Sequence, residues 1–321
     1  MTAHATPLIA FAAPPGPRCR EAIAGLKLDN LNRLLQQLVP TPLLQSHPQA
    51  MTPLHERLMA SADGQGFSDG LMPWAARQAQ SLGLAGLHGT SGWARITPCH
   101  WTVQADHVQM DDPAALALTS QDHDALWASM EPYFSEDGIT LFAQSHESKG
   151  RYWLARGAVF RELPTASLDR VASQRVDPWM PRQAQARPLR KLQNEMQMLL
   201  YHHAVNDERE RYKLPSVNSF WVSGTGSPDD TVSVPTNRVL HTELRASALK
   251  DDPQAWAFAW HALDETLLAP LVQRLQAGAS VDLILAGQLQ AVRLGPASQS
   301  LMERLRRRFQ GPQALLLLNS L

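Results

Sequence analysis

The sequence predicts an α/β fold, with a mixed or mostly parallel sheet flanked by helices. Three observations carry that expectation. Short apolar runs such as Leu8–Ala12 and Val281–Ala286 read as buried strands. Stretches such as Leu31, Leu34, Leu35 and Leu38 have helical spacing and alternate with those runs. The 321 residues are 44% hydrophobic and 18% charged, which supplies a packed core for one large domain or two smaller ones.

Taken in order, Leu8–Ala12 is closed by Pro14-Pro15-Gly16 and reads as a first strand. Asn30 is placed to cap the next helix and Pro40 to stop it. A helical stretch over Pro53–Ala60 follows, then a glycine-rich loop at 62–69. Asp69 is the expected cap of a helix carrying Leu71, Trp74, Ala75 and Ala79. Trp93–Met110 alternates and predicts two strands, with the turn at Gln104-Ala105-Asp106. Leu126, Trp127 and Met130 predict a helix over Gln121–Tyr133, and Ile139–Ala143 and Tyr152–Leu154 read as strands. The proline-containing stretch 162–187 is the expected connection between an N-terminal α/β region, 1–161, and a C-terminal one, 188–321, unless the two form one continuous domain.

The C-terminal part carries the most specific residue choices. Pro188 suits a first helical turn, and Leu192, Met196, Leu199, Leu200 and His203 share one face. Glu195, Met198 and His202 form a neighbouring stripe that reaches Asn206. Val217–Val222 reads as a strand, with Ser219, Trp221 and Ser223 on one side and Asn218, Phe220 and Val222 on the other. Gly224 and Gly226 end it. Thr231–Leu240 is another strand candidate, and Asp252-Pro253 starts a helix through Trp256, Trp260, Leu263, Leu267 and Leu271, kinked at Pro270. Ser298–Phe309 reads as a helix and Ala314–Leu318 as a final strand, internal or at an edge that pairs with another subunit.

A net charge of -1 gives no basis for a nucleic-acid or anionic-membrane partner. Two cysteines, Cys19 and Cys99, make neither a disulfide framework nor a thiolate cluster. No apolar run reaches a membrane span, and Pro7–Ala13 is short of a signal peptide, so a cytoplasmic location is expected.

The candidate ligand site is Gly224-Thr225-Gly226, whose backbone amides suit a small phosphorylated or anionic metabolite, assisted by the Ser223 and Thr225 hydroxyls. A plain strand-end turn is the alternative. Asn218 positions the loop; His202, Asn206 and the forked guanidinium of Arg209 complete the expected set. Asp207, Glu208 and Glu210 around Arg209 also suit a solvated surface. His100 and His107 flank a turn and are weaker candidates, and His203 reads as a core histidine. No catalytic set and no metal-ligand set is assembled, and no cofactor is expected.

The residues 194–210 together with Leu214-Pro215-Ser216-Val217-Asn218-Ser219-Phe220-Trp221-Val222-Ser223-Gly224-Thr225-Gly226 resemble the RpfE-type regulatory protein family of bacteria, as do 96–118 and 251–264. Asn218, Trp221, Gly224 and Gly226 also look like the Asn-x-x-Trp-x-x-Gly-x-Gly strand of archaeal-type cofactor-independent phosphoglycerate mutases. Leu263-Asp264-Glu265 with Leu268–Leu271 looks like the helix before their late metal-binding strand. Those enzymes belong to the alkaline phosphatase superfamily, with two divalent metals and a serine nucleophile. The resemblance implies a reduced alkaline-phosphatase-like scaffold. Where that superfamily places a metal-binding aspartate after its first strand, this chain has Ala12, Ala13, Pro14 and Pro15; where it places Asp-His, this chain has Gly287-Gln288. The expectation is a non-catalytic regulatory or small-anion-sensing protein. The alternatives are an active mutase-like enzyme or phosphatase using manganese or zinc, and an interaction module with a protein partner or a second copy.

Overall fold

The chain forms two units in the computed structural model, which describes residues 5–84, 90–143, 152–227, 237–296 and 313–321. Met1–Gln49, Pro53–Gly66 and Ser233–Leu321 make the first unit; Ala50–Thr52 and Phe67–Val232 make the second. The stretch 162–187, expected to connect two regions, runs inside the second unit. Its prolines break helices, yet Leu163, Ala166, Val171 and Val176 are buried and hold it to the core.

Strands are numbered along the chain. The first unit has a five-stranded mixed sheet in the order β10 (Arg238–His241), β1 (Thr6–Ala10), β11 (Leu283–Ala286), β12 (Gln290–Gly295), β2 (Val39–Gln45). β1 is parallel to β10 and β11, while β12 runs antiparallel to β11 and β2. Leu8, Ile9 and Ala10 are fully buried, as a central parallel strand requires. β2 holds Pro40 and Pro42, which an edge strand tolerates because one row of its amides needs no partner. Pro40 was expected only to stop a helix, and neither β2 nor β12 was foreseen.

The helix Asp29–Gln37 buries Leu31, Leu34 and Leu35 as its spacing demands. Its cap differs from expectation. Asn30 lies inside the first turn, and the Asp264 carboxylate accepts from Asn30 N at 3.0 Å and Leu31 N at 2.9 Å. Asp252 does cap the helix Pro253–Leu263, accepting from Gln254 N and Ala255 N. The kink expected at Pro270 is a π-helical turn over Asp264–Leu268, ahead of the helix Ala269–Gln276. Pro270 has no amide to donate, and the extra residue of the π turn moves the buried position from Leu267 to Leu268. Ala314–Leu318 belongs to a helix, Gln313–Ser320, and not to a strand. Ala314 and Leu318, four apart, are buried, while Leu316 is 74% exposed. A short apolar run has no period by which to tell the two apart.

The second unit has two antiparallel sheets: β6 (Thr140–Phe142), β7 (Trp153–Gly157), β3 (Gly92–Cys99), β9 (Ser219–Gly226), and β4 (Trp101–Val103), β5 (Val108–Met110), β8 (Gln174–Arg175). Trp93–Met110 therefore gives three strands, with the turn where it was expected: Gln104 N donates to His107 O at 2.8 Å. One face of the larger sheet presents Ala94, Ile96, Trp153, Phe220 and Val222 to Met130, Phe134, Leu192 and Met196. Those last four lie on the helices Ser120–Glu136 and Arg187–Tyr201. The opposite face packs Trp93 and Leu154 against Ala75, Ala76 and Ala79 of the helix Trp74–Ser81. Asp69 does not cap that helix; its carboxylate accepts from Met51 N and Thr52 N.

Ser298–Phe309 and most of Thr231–Leu240 lie outside the described residues, as do His146, Glu147 and the arginines 304 and 306–308. No helix among the described residues is long and apolar enough to cross a membrane.

Candidate functional site: the bulge of β9

Between Trp93 and Arg95 on β3 the partner register moves from Gly226 to Ser223, so β9 carries one extra residue there. Gly224 supplies it with φ +65°, a left-handed conformation that favours glycine. A Cβ at this position would lie 3.3 Å from Trp74 Cβ, 3.6 Å from Ala75 N and 3.8 Å from Arg95 Cδ. The glycine thus lets the helix Trp74–Ser81 approach the strand.

Ser223 stands opposite Arg95, and directly opposed residues share a face of the sheet. That face looks toward Gln78, whose amide oxygen accepts from Arg95 Nη2 at 3.1 Å and from Tyr152 Oη at 2.8 Å. The Arg95 guanidinium also stacks on the Tyr152 ring, 4.9 Å from its centroid. Arg95 Nε is buried without a hydrogen-bond partner. On the same helix, Arg77 lies 5.0 Å over Trp74, and its buried Nη1 has no partner either. Burial lowers the pKa of Arg77 below its ordinary value. Half-buried guanidinium groups ordinarily take a carboxylate or phosphate. Among the described residues, neither arginine pairs with one.

The residues expected at the site divide into two groups. Ser223, Gly224, Thr225 and Gly226 form the bulge, but Thr225 faces inward. Its hydroxyl donates to Leu163 O at 2.7 Å and contacts Thr165 Oγ1 at 2.9 Å, so it closes the loop on 162–187 and does not face a ligand. Asn206, Arg209 and Asn218 sit at the other end of β9, on the order of 20 Å from Gly224 along an extended strand. Their polar groups are committed to backbone. Asn206 bonds Leu200 O, Val217 O and Val217 N, each at 2.7 Å. Arg209 donates to Pro215 O and Leu116 O and pairs with Asp122 at 3.6 Å. Asn218 bridges the backbone N and O of Trp101.

His202 is exposed beyond the end of its helix, edge-on to Tyr201. His203 is not on the apolar face; it caps the next helix, Ala204–Arg211, with Nδ1 accepting from Val205 N. His100 Nδ1 bonds Ser216 O and His107 pairs with Asp106, so neither is free to serve a ligand through that nitrogen. Arg77, Gln78, Arg95 and Tyr152 escaped the sequence reading. Arg95 interrupts the otherwise apolar run Trp93, Ala94, Ile96, and that was the one available signal.

The ends of β1 and β11 in the first unit do not fit a pair of divalent metals. β1 runs into Phe11, Ala12, Ala13 and Pro14, and β11 into Gly287 and Gln288. The Gln288 side-chain oxygen accepts from Arg20, a cation where cations would need anionic ligands. β10 ends in His241, whose Nδ1 pairs with Glu243.

The chain matches no family model. It matches no curated protein sequence. Its structure is similar to that of the PH0037 protein from Pyrococcus horikoshii, with TM-score 0.42 and 12% identity over 98% of each chain. It is also similar to cofactor-independent phosphoglycerate mutase from Thermoplasma acidophilum, with TM-score 0.35 and 12% identity over 99% of each chain.

Proposed function

We propose that this chain is a non-catalytic regulatory protein of the RpfE type, on a scaffold derived from a metal-dependent phosphomutase, and that it senses a small anion at the β9 bulge. The observation that carries the reading is Arg95. It stands opposite Ser223 on the neighbouring strand with its Cδ near Gly224. Its guanidinium is held by a neutral amide and an aromatic ring, and its buried Nε has no partner. A half-buried charge so poorly matched is stabilised by an anion that brings its own oxygens. The Asn218-to-Gly226 motif supports the family assignment, and the neutral ends of β1 and β11 speak for a role without metal-assisted turnover.

The test is thermal unfolding of the wild type and of Arg95→Gln, titrated with inorganic phosphate and with acetate at fixed ionic strength. A ligand that binds only the folded state raises the midpoint, by the equivalent of about 2.7 kcal/mol at a hundredfold excess over Kd. The wild type is expected to respond and Arg95→Gln is not. Equal responses in the two proteins would remove the bulge as the site.

A further inference from the structure

Resting on that reading, we infer that Gln78 is the gate of the anion site: its amide oxygen holds the place that one oxygen of the bound phosphate or carboxylate takes, and the ligand enters by displacing it. Nε and Nη2 form the side-on edge of a guanidinium, the edge that grips a two-oxygen anion with parallel hydrogen bonds. In Arg95 this edge is half used. Nη2 donates to Gln78 Oε1 at 3.1 Å, while Nε beside it is buried with no partner. A single amide oxygen does not fill a two-donor fork; two oxygens of one anion do.

The second donor converging on Gln78 is the Tyr152 hydroxyl, at 2.8 Å. One neutral oxygen therefore receives a hydrogen bond from a cation and another from a phenol, an arrangement suited to an anionic oxygen. Nε is out of contact with solvent and Gln78 Oε1 occupies the neighbouring Nη2, so an anion takes both donors of the fork only after the Gln78 side chain turns aside. Gln78 is half-buried on the helix Trp74–Ser81, so this rotation leaves the helix and the sheet in place. The ligand class follows from the fork: a phosphate monoester or a carboxylate, each offering two oxygens about as far apart as the two nitrogens.

Two variants test the gate by equilibrium titration with inorganic phosphate and, separately, acetate at constant ionic strength. Gln78→Ala removes the competitor and lowers the half-saturating anion concentration about tenfold, the scale of one hydrogen bond to a charged group that no longer has to be broken. Gln78→Glu supplies a built-in carboxylate; it raises the unfolding midpoint without ligand and abolishes the response to both anions. A response to phosphate alone assigns the site to phosphoryl groups, and a response to acetate as well assigns it to carboxylates, either one consistent with the gate. If the wild type responds and Arg95→Gln does not, while Gln78→Ala binds no more tightly and Gln78→Glu still responds, the gate is wrong and the anion site stands. If the wild type responds to neither anion, both fall.

Discussion

Asn206 and Val217 are joined by two hydrogen bonds of 2.7 Å, one from the Asn206 amide to the Val217 carbonyl and one from the Val217 amide to the Asn206 side-chain oxygen. The side chain acts as a short length of strand, pairing the chain immediately before β9, and its second N–H holds Leu200 O at the end of a helix. Asn206→Ala leaves the N–H and C=O of Val217 without partners, while Leu200 O keeps the bond from His203 N. A loss of about 3 kcal/mol is expected, since each unsatisfied buried group costs about 1–3 kcal/mol and some regain water. Urea unfolding measures it. Asn206→Asp keeps the acceptor but loses both donors, and is expected to be no better than alanine.

Gly224 is held at φ +65° with Trp74 Cβ 3.3 Å from where its own Cβ would be. Gly224→Asn, which tolerates left-handed backbone, is expected to cost about 1 kcal/mol. Gly224→Val adds a β-branched side chain against Trp74 and should cost at least twice as much. Denaturant midpoints of the two variants check the ranking, and equal midpoints would mean that the bulge relaxes.

The Asp251 carboxylate accepts from Arg18 N at 3.1 Å and Cys19 N at 2.8 Å, capping the helix Pro17–Ala22 from far along the chain. A Cβ on Gly16 would lie 2.3 Å from Asp251 Cγ. Asp251→Ala is expected to cost about 1–2 kcal/mol as a lost cap. Gly16→Ala is destabilising in the wild type and less so in the Asp251→Ala background, because Asp251 Cγ and Oδ1, each 2.3 Å from the new Cβ, are gone while Asp251 Cβ at 2.7 Å remains. A double-mutant cycle reads this coupling directly.

His203 accepts from Val205 N through Nδ1 and contacts Ser129 Oγ through Nε2, so it is neutral in the folded protein. Burial lowers its pKa below the ordinary 6.5, as it also does for His123, whose Nδ1 accepts from Trp153 Nε1. A lowered pKa means that the unfolded chain binds the proton more readily. This contribution to stability is complete above pH 6.5 and is lost as the pH falls through the lower folded values. Unfolding free energy should therefore drop as the solution is acidified below that point. His203→Asn, a neutral cap, should flatten part of the slope; an unchanged slope would exclude His203 as a contributor.

Much of the fold was legible because side-chain periodicity is a local property. The apolar run of Leu8–Ala10, the alternation of Phe220 and Val222 against Ser219 and Ser223, and the Asp252-Pro253 start all appear as their spacing requires. Local signals failed where two structures share one pattern. The run at 314–318 fits a strand or a helix, and Pro40 and Pro42 conceal an edge strand. The ligand set failed for a related reason. Asn206, Arg209 and Thr225 look like recognition residues in sequence, yet each is surrounded by backbone carbonyls that the folded chain would otherwise leave bare.

By itself, then, the sequence determined the α/β class and the apolar faces of helices such as Asp29–Gln37. It read Gly224 and Gly226 as the end of a strand Val217–Val222, whereas β9 runs from Ser219 through both glycines with its bulge at Gly224. The tertiary structure decided which polar residues are structural and which remain available. It set Asp264 on the helix Asp29–Gln37, in place of the cap expected from Asn30, and Asp251 on the helix Pro17–Ala22. It also set Arg95 across from Ser223 and under Gln78. The reason is physical. A polar side chain within the fold bonds whichever backbone group or side chain packing brings within about 3 Å, and that depends on strand register and helix placement between residues far apart in the chain.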